Sequence, residues 1–302
     1  AEVIIMNKSF SFLCVTLASL SVFAFASCGG RAKALKKIPD ENRQTALKEY
    51  QRKYESSLET VLYAKTYTLA TATFKQGDNQ ESFSLRTDAD FAFEKKDAKT
   101  VVSAFAEEYD STEKTTRTGN TEENEYKKST YLNKKGTYTK SSDTDAQPLT
   151  AFYPCGSIQD EALRKLNVSD ISFFTLFVND NVSDWTKDDG EVEISAYSDS
   201  SGSGFRAVCK LGASYDALQF FDGIDTFLAW TGEEMPEAAL TISLSAFFDG
   251  AGGLLYTVTE AEMKLKESES VKGRYTYYQK ASVQTSSTVK LPSNLDSYVS
   301  AE

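Results

Sequence analysis

Apolar and polar positions change their period several times along this chain, and the changes mark its elements. Behind Pro39 and Asp40, the residues Leu47, Tyr50, Tyr54, Leu58, Val61 and Leu62 recur at spacings of three and four. That spacing predicts one amphipathic helix of about 25 residues. The period then drops to two. Phe83, Leu85, Thr87, Ala89, Phe91 and Phe93 alternate with Ser82, Ser84, Arg86, Asp88 and Asp90, the pattern of a strand buried on one side. Further strands are predicted near 66–75, 100–109 and 125–139, with turns at Gly77-Asp78-Asn79 and Lys135-Gly136.

The middle of the chain reads differently. Gln159 to Leu166 and Ile171 to Val178 are predicted as short helices, the second almost uninterrupted in Ile171, Phe173, Phe174, Leu176 and Phe177. Val192, Ile194 and Ala196 then alternate, and a Gly-Ser turn at 200–204 leads to a strand from Phe205 to Leu211 that pairs with them. Tyr215 to Trp230 returns to helical spacing through Leu218, Phe221, Ile224, Phe227 and Leu228, with Gly223 a weak point inside it. Leu240 to Phe248 and Leu255 to Leu265 form a hairpin around Asp249-Gly250 and Gly252-Gly253, and a last strand covers 271–283. Helix and strand blocks interleave without a strict βαβ rhythm and no long linker divides them, so the expectation is one α+β domain on an antiparallel sheet, with two halves sharing it.

Ahead of that domain stands a different kind of segment. Met6-Asn7-Lys8 is a short polar start, Phe10 to Phe25 is apolar, and Ala26-Ser27-Cys28 closes the run with small residues and a cysteine. This order predicts a bacterial lipoprotein signal peptide over 1–27, with Met6 as the start and Cys28 as the acylated residue. The apolar run is short of the roughly 20 residues of a spanning helix. Two or more acyl chains hold a protein stably at a bilayer, so the expectation is a membrane-anchored protein facing the extracellular or periplasmic side. Residues 28–39 then form a basic linker. Arg31, Lys33, Lys36 and Lys37 are placed either to lie against anionic headgroups, at about 1 kcal/mol each, or as a solvated linker.

Charge and residue counts narrow the chemistry. The formal net charge is −11, and Glu2 and Lys8 cancel in the discarded segment, so nucleic acid is not an expected partner. No histidine occurs, which removes Ser-His-Asp and Cys-His catalysis and the commonest ligand for zinc and iron. Of the four cysteines, Cys14 leaves with the signal and Cys28 carries lipid. Cys155 and Cys209 are left either to form a disulfide, worth roughly 4 kcal/mol in the chain-entropy model, or to remain as buried thiols.

Taken in order, the cysteine-ended signal, the N-terminal amphipathic helix, the antiparallel strands, the aromatic central helices, the hairpin at 249–253 and the closing Val289-x-Leu291-Pro292 resemble the LolA/LppX-like lipoproteins. The resemblance covers about residues 40–295 of a single domain at 40–302, is one of architecture, and has no diagnostic motif. It implies an open antiparallel half-barrel with helices packed on the concave face and a hollow that takes an acyl chain or a lipidated partner. The soluble carrier of that family has no tether, so a fixed receptor or acceptor is implied here rather than a shuttle.

For such a role Phe83, Leu85, Phe91 and Phe93 are the candidate wall of an apolar cavity. Phe173, Phe174, Phe177, Phe220, Phe221, Phe227 and Trp230 are its candidate cover, and each buried methylene of a ligand would contribute about 0.8 kcal/mol. The same aromatics also suit a closed core. An enzyme would have to rest on carboxylates such as Asp180, Asp184, Asp188, Asp189, Glu191 and Glu193, but an acidic turn is usually solvated surface and its spacing does not fit a calcium loop. Catalysis, a metal and a cofactor are therefore not expected. The competing class is a surface interaction module with a closed core, which exposed aromatics such as Tyr275, Tyr277 and Tyr278 would serve.

Overall fold

A computed structural model describes residues 36–96, 99–143, 147–171, 191–199, 202–212, 221–231, 238–266, 271–284 and 288–301. From Lys37 onward they form one compact unit. Its strands are β1 (Lys36–Lys37), β2 (Tyr63–Gln76), β3 (Asn79–Lys96), β4 (Lys99–Arg117), β5 (Asn120–Asn133), β6 (Gly136–Asp143) and β7 (Leu149–Pro154). After these come β8 (Glu191–Asp199), β9 (Gly202–Gly212), β10 (Ala238–Phe248), β11 (Leu254–Leu265) and β12 (Val271–Gln284). The helices are α1 (Arg43–Leu58), α2 (Ile158–Arg164) and α3 (Ile224–Thr231).

All twelve strands belong to one open sheet in the order β1-β8-β9-β10-β11-β12-β2-β3-β4-β5-β6-β7. Two sequential meanders, β2 to β7 and β8 to β12, meet where β12 pairs antiparallel with β2 from Val271↔Gln76 to Gln284↔Tyr63. The two halves thus share one sheet. Backbone groups at both ends of the array find partners. Ile38 N–H donates to Ile194 O at 2.8 Å, while at β7 Phe152 N–H donates to Val299 O at 2.6 Å and Ala301 N–H to Phe152 O at 2.8 Å. Such cover matters because a bare strand edge is a template for aggregation.

The α+β expectation is overturned. Among the described residues strand outweighs helix by 64% to 16%, and the helices are three short ones on a twelve-stranded sheet, so this is not a fold with helices packed on a concave face. Two physical causes account for the difference. The Ser- and Thr-rich stretch after Asp110 has no apolar rhythm, yet it is strand in β4, β5 and β6, held by cross-strand polar pairs such as Lys114–Glu123 at 3.1 Å and Thr116–Thr121 at 3.0 Å. The helices are also shorter than their apolar spacing suggests. α1 ends at Leu58, because Leu62 already donates its N–H to Gln284 O at 3.1 Å and accepts from Phe93 N–H at 2.9 Å, as a residue of the sheet. α3 begins only at Ile224, after Gly223 takes a left-handed φ of +75°. Residues 172–178 and 215–220 of the predicted central helices lie outside the described residues.

Alternation along the strands divides the sheet into a core face and an outer face. On β2 the core face carries Ala64, Thr66, Thr68, Ala70, Ala72 and Phe74, all buried, while Tyr63, Lys65, Tyr67, Leu69 and Thr71 point the other way. Cross-strand register extends that face to Phe91, Ala89, Leu85 and Phe83 on β3 and to Tyr275, Tyr277 and Ala281 on β12. On the far side, Leu240, Ile242, Leu244, Ala246 and Phe248 of β10 continue it. α1 closes one end through Tyr50, whose ring centroid lies 4.7 Å from that of Phe205 and 6.3 Å from that of Phe248. α3 closes another part through Phe227, fully buried against Tyr275. Burying each such aromatic stabilises the fold by about 1.5–3 kcal/mol.

A second, smaller cluster sits on the outer face. Tyr131 of β5 and Tyr138 of β6 are buried there with Leu295, and Ala106, Phe152, Leu291 and Tyr298 pack around them. The C-terminal segment 288–301 therefore lies across the outer face of β5 to β7.

Candidate functional surfaces of the sheet

The residues expected to form wall and cover are brought into one core. Leu85, Phe91, Phe93, Phe221 and Phe227 are buried in a single cluster, with Phe83 and Trp230 packed against it. Phe173, Phe174, Phe177 and Phe220 lie outside the described residues, as does Cys28. The described rings pack on one another: Phe91 stacks on Phe93 at 6.0 Å and meets Phe105 at 4.8 Å, Phe221 meets Tyr277 at 5.0 Å, and Phe227 meets Tyr275 at 6.1 Å and Trp230 at 6.3 Å.

The wall is also interrupted in a way that apolar spacing alone does not reveal. Phe91 and Phe93 stand near Leu62, Phe83 stands under Gly223, and Thr87 and Ala89 separate the two groups on β3. The same rows hold Thr66 and Thr68 on β2, Thr257 and Thr259 on β11, and Glu107 and Tyr109 on β4. Burial pushes the Glu107 carboxyl above the usual carboxylate range, opposed by Lys128 and the Thr130 hydroxyl. Asp222 reaches solvent, yet the protein around it also raises its carboxyl, and its backbone carbonyl accepts a 2.6 Å hydrogen bond from Tyr275.

The acidic turn offers less. Asp180, Asp184, Asp188 and Asp189 lie outside the described residues; Glu191 opens β8, and exposed Glu193 pairs with Lys37 at 3.4 Å. Among the described residues no group of three or more His, Cys, Asp or Glu side chains is placed to hold a metal ion, and no helix is long and apolar enough to cross a membrane. The two cysteines are free thiols. Cys155 is exposed in the turn after β7, whereas Cys209 is buried on β9, and eight strands stand between β9 and β7 in the sheet order. Burial pushes the Cys209 thiol up to about 12.

Of the three tyrosines considered as exposed aromatics, Tyr275 and Tyr277 are buried on the core face. Only Tyr278 faces outward, since neighbouring residues of a strand point to opposite sides. It belongs to an aromatic and cationic ladder that the apolar pattern did not single out. Tyr278 meets Tyr67 edge-on at 6.2 Å, and the Arg86 guanidinium lies 5.5 Å from the Tyr67 centroid while ion-paired to Asp88 at 2.7 Å. Phe247 stacks on Tyr256 at 4.6 Å, and the Lys280 ammonium stands 4.5 Å over that ring. All four rings are half-buried. The available signal was Tyr67, Tyr256 and Tyr278 at polar-phase positions, where small or charged residues are the norm.

No family model and no curated protein matches the chain. Among solved structures, a porin-like protein from Bacteroides uniformis ATCC 8492 has 8% sequence identity and a TM-score of 0.20, covering 75% of this chain and 98% of that chain. A likeness of that degree carries no argument.

Proposed function

We propose that this chain is a lipid-anchored extracytoplasmic binding module, not an enzyme, which holds its core shut and meets a partner on the outer face of its sheet. The observation that carries this reading is the division between the two faces. On the core face, the rings that would wall a hydrophobic hollow pack against each other, with threonines between them. On the outer face, Tyr67, Tyr278, Tyr256 and Phe247 stay half-buried beside Arg86 and Lys280. Aromatic rings and arginine are the residues enriched where proteins meet partners. The anchor rests on Cys28 and the apolar run before it.

Two measurements test the reading. Cys28→Ala should move the protein from the membrane to the soluble extracytoplasmic fraction; precursor retained in the membrane would mean a spanning segment instead. The processed protein should bind washed host envelopes, and Tyr67→Ser with Tyr278→Ser should cut that binding at least fivefold without lowering Tm. A lipid adduct in native mass spectra of the purified protein, with envelope binding untouched by the tyrosine changes, would favour a carrier with a ligand on the core face.

A further inference from the structure

Segment 221–231 lies on the core face as a single piece. Ile224 N–H donates to Phe221 O at 3.2 Å and Phe227 N–H to Gly223 O at 3.3 Å, so the turn at 221–223 and α3 are one hydrogen-bonded unit. The unit is seated on β2, β3 and β12. Phe221 meets Tyr277 at 5.0 Å, Asp222 O accepts from the Tyr275 hydroxyl at 2.6 Å, Gly223 rests on the Phe83 ring, and Phe227 meets Tyr275 at 6.1 Å.

This seat holds carboxylates, which an apolar cover does not need. Register carries the row of Tyr277 through Ala70 to Leu85, and the next rows bring Tyr109 and then Glu107 of β4 alongside. Asp222 therefore faces Tyr109 and Glu107 across the core side, and the two carboxylates repel when both are ionised. Between them, β2 and β3 present no ionisable group in these rows. On β12, Tyr275 and Tyr277 also face Asp222, but burial holds both hydroxyls neutral. On β5, Lys128 is the cation that faces Glu107; Glu108, on the other side of β4, adds to the repulsion. Asp225, the other carboxylate of the segment, is exposed.

Burial raises both the Glu107 and the Asp222 carboxyl above the ordinary carboxylate range. Free of the protein they would ionise at about 4.3 and 3.9. Between those values and the folded ones the seated segment binds more protons than a lifted one, so its seating is strongest at low pH and weakens as pH rises through the folded values. Asp222 reaches solvent, which lets protons come and go without unfolding. We propose that segment 221–231 is a proton-governed latch on the core face, seated while Glu107 and Asp222 are protonated and lifting locally when both are ionised. The latch acts on the core face, independently of what the outer face binds.

The test is native-state hydrogen exchange of the whole processed protein, followed by mass spectrometry on peptides within 221–231 and on peptides of β10 as the reference for global unfolding, with rates corrected for the intrinsic effect of pH. From about pH 5 to about pH 7.5, opening of 221–231 should grow at least fivefold, and opening of β10 less than twofold. Glu107→Gln with Asp222→Asn should hold the growth at 221–231 below twofold. Asp222→Asn alone, a change at an exposed position, should at least halve the opening at the higher pH. Lys128→Gln should increase it there at least threefold, because Glu107 loses the cation that offsets its charge. Opening that stays level or falls as pH rises would overturn the proposal, as would a pH response that survives in the double variant. Growth of equal size in β10 would overturn it too, since the whole fold rather than the segment would then answer to pH.

Discussion

Gly223 rests on the ring of Phe83. A Cβ placed on Gly223 would stand 2.2 Å from Phe83 Cε1, and its φ of +75° lies in the left-handed region. Both facts require glycine here, because an L side chain is disfavoured at that φ and has no room above the ring. Gly223→Ala should therefore lower stability by about 2 kcal/mol, read from the midpoint of urea unfolding. Adding Phe83→Leu should recover part of the loss, since the two sites are in contact. Equal midpoints for parent and Gly223→Ala would mean that this segment is not seated on β3.

Asp160 anchors α2 from a fully buried position. It accepts from Arg164 Nε at 2.7 Å, Gly156 N–H at 3.0 Å and Thr137 Oγ1 at 3.2 Å. Burial pushes its carboxyl up, but Arg164, Gly156 and Thr137 together hold it below the ordinary carboxylate range. A folded value below the unfolded one, about 3.9, stabilises the protein fully above that unfolded value. The contribution fades as pH falls through the folded value. Asp160→Asn should cost on the order of 3 kcal/mol at pH 7, and the gap from the parent should shrink in urea titrations at the lowest pH the fold survives.

Glu107 works in the opposite direction. Its folded value lies above the unfolded one, about 4.3, because burial disfavours its charge. The protein is therefore penalised above the folded value, and relieved as pH falls toward the unfolded one. Glu107→Gln should raise Tm at pH 7 by roughly 2–4 °C, equivalent to about 1 kcal/mol, and leave Tm near the parent's at pH 4. A rise of the same size at both pH values would place the cause in packing rather than in charge.

The thiols should behave as their positions dictate. Exposed Cys155 should react with a thiol reagent within minutes in the native protein, and buried Cys209 only after denaturant is added. Reduction should leave gel mobility unchanged. Failure of both thiols to react even in denaturant would reveal a disulfide between them.

Truncation after Lys290 removes Leu291, Leu295 and Tyr298 from the second cluster, and with them the backbone bonds to Phe152. Uncovering Tyr131 and Tyr138 should lower stability by about 3 kcal/mol and create binding of a hydrophobic dye that the whole chain lacks. Unchanged dye fluorescence would mean the segment does not cover those rings.

Strands with one dry face were legible because period two is a strong signal. The hairpin of β10 and β11 around 249–253, the β8–β9 pair and the last strand are all where alternation puts them. The fold class was not legible, because β5 is exposed from Asn120 to Lys127 and shows no apolar phase for a pattern to detect. The interior was legible in part. Phe83, Leu85, Phe91, Phe93, Phe221 and Phe227 were recognisable as residues that share one interior, but Tyr67, Tyr256 and Lys280 gained meaning only from neighbours far away in the chain.

Local spacing thus decided which residues turn inward on each strand, that Gly223 is a weak point in a helical stretch and where a cleavable, acylated leader is expected. These depend on residues a few positions apart, and backbone geometry converts such spacing directly into direction. Which strands become neighbours is another matter. That β12 lies beside β2, that Thr66, Thr259 and Glu107 fall into adjoining rows, and that residues 288–301 cross β5 to β7 follow from pairings between segments up to some two hundred residues apart. Such contacts arise from the joint packing of the whole core, and no single stretch of sequence contains them.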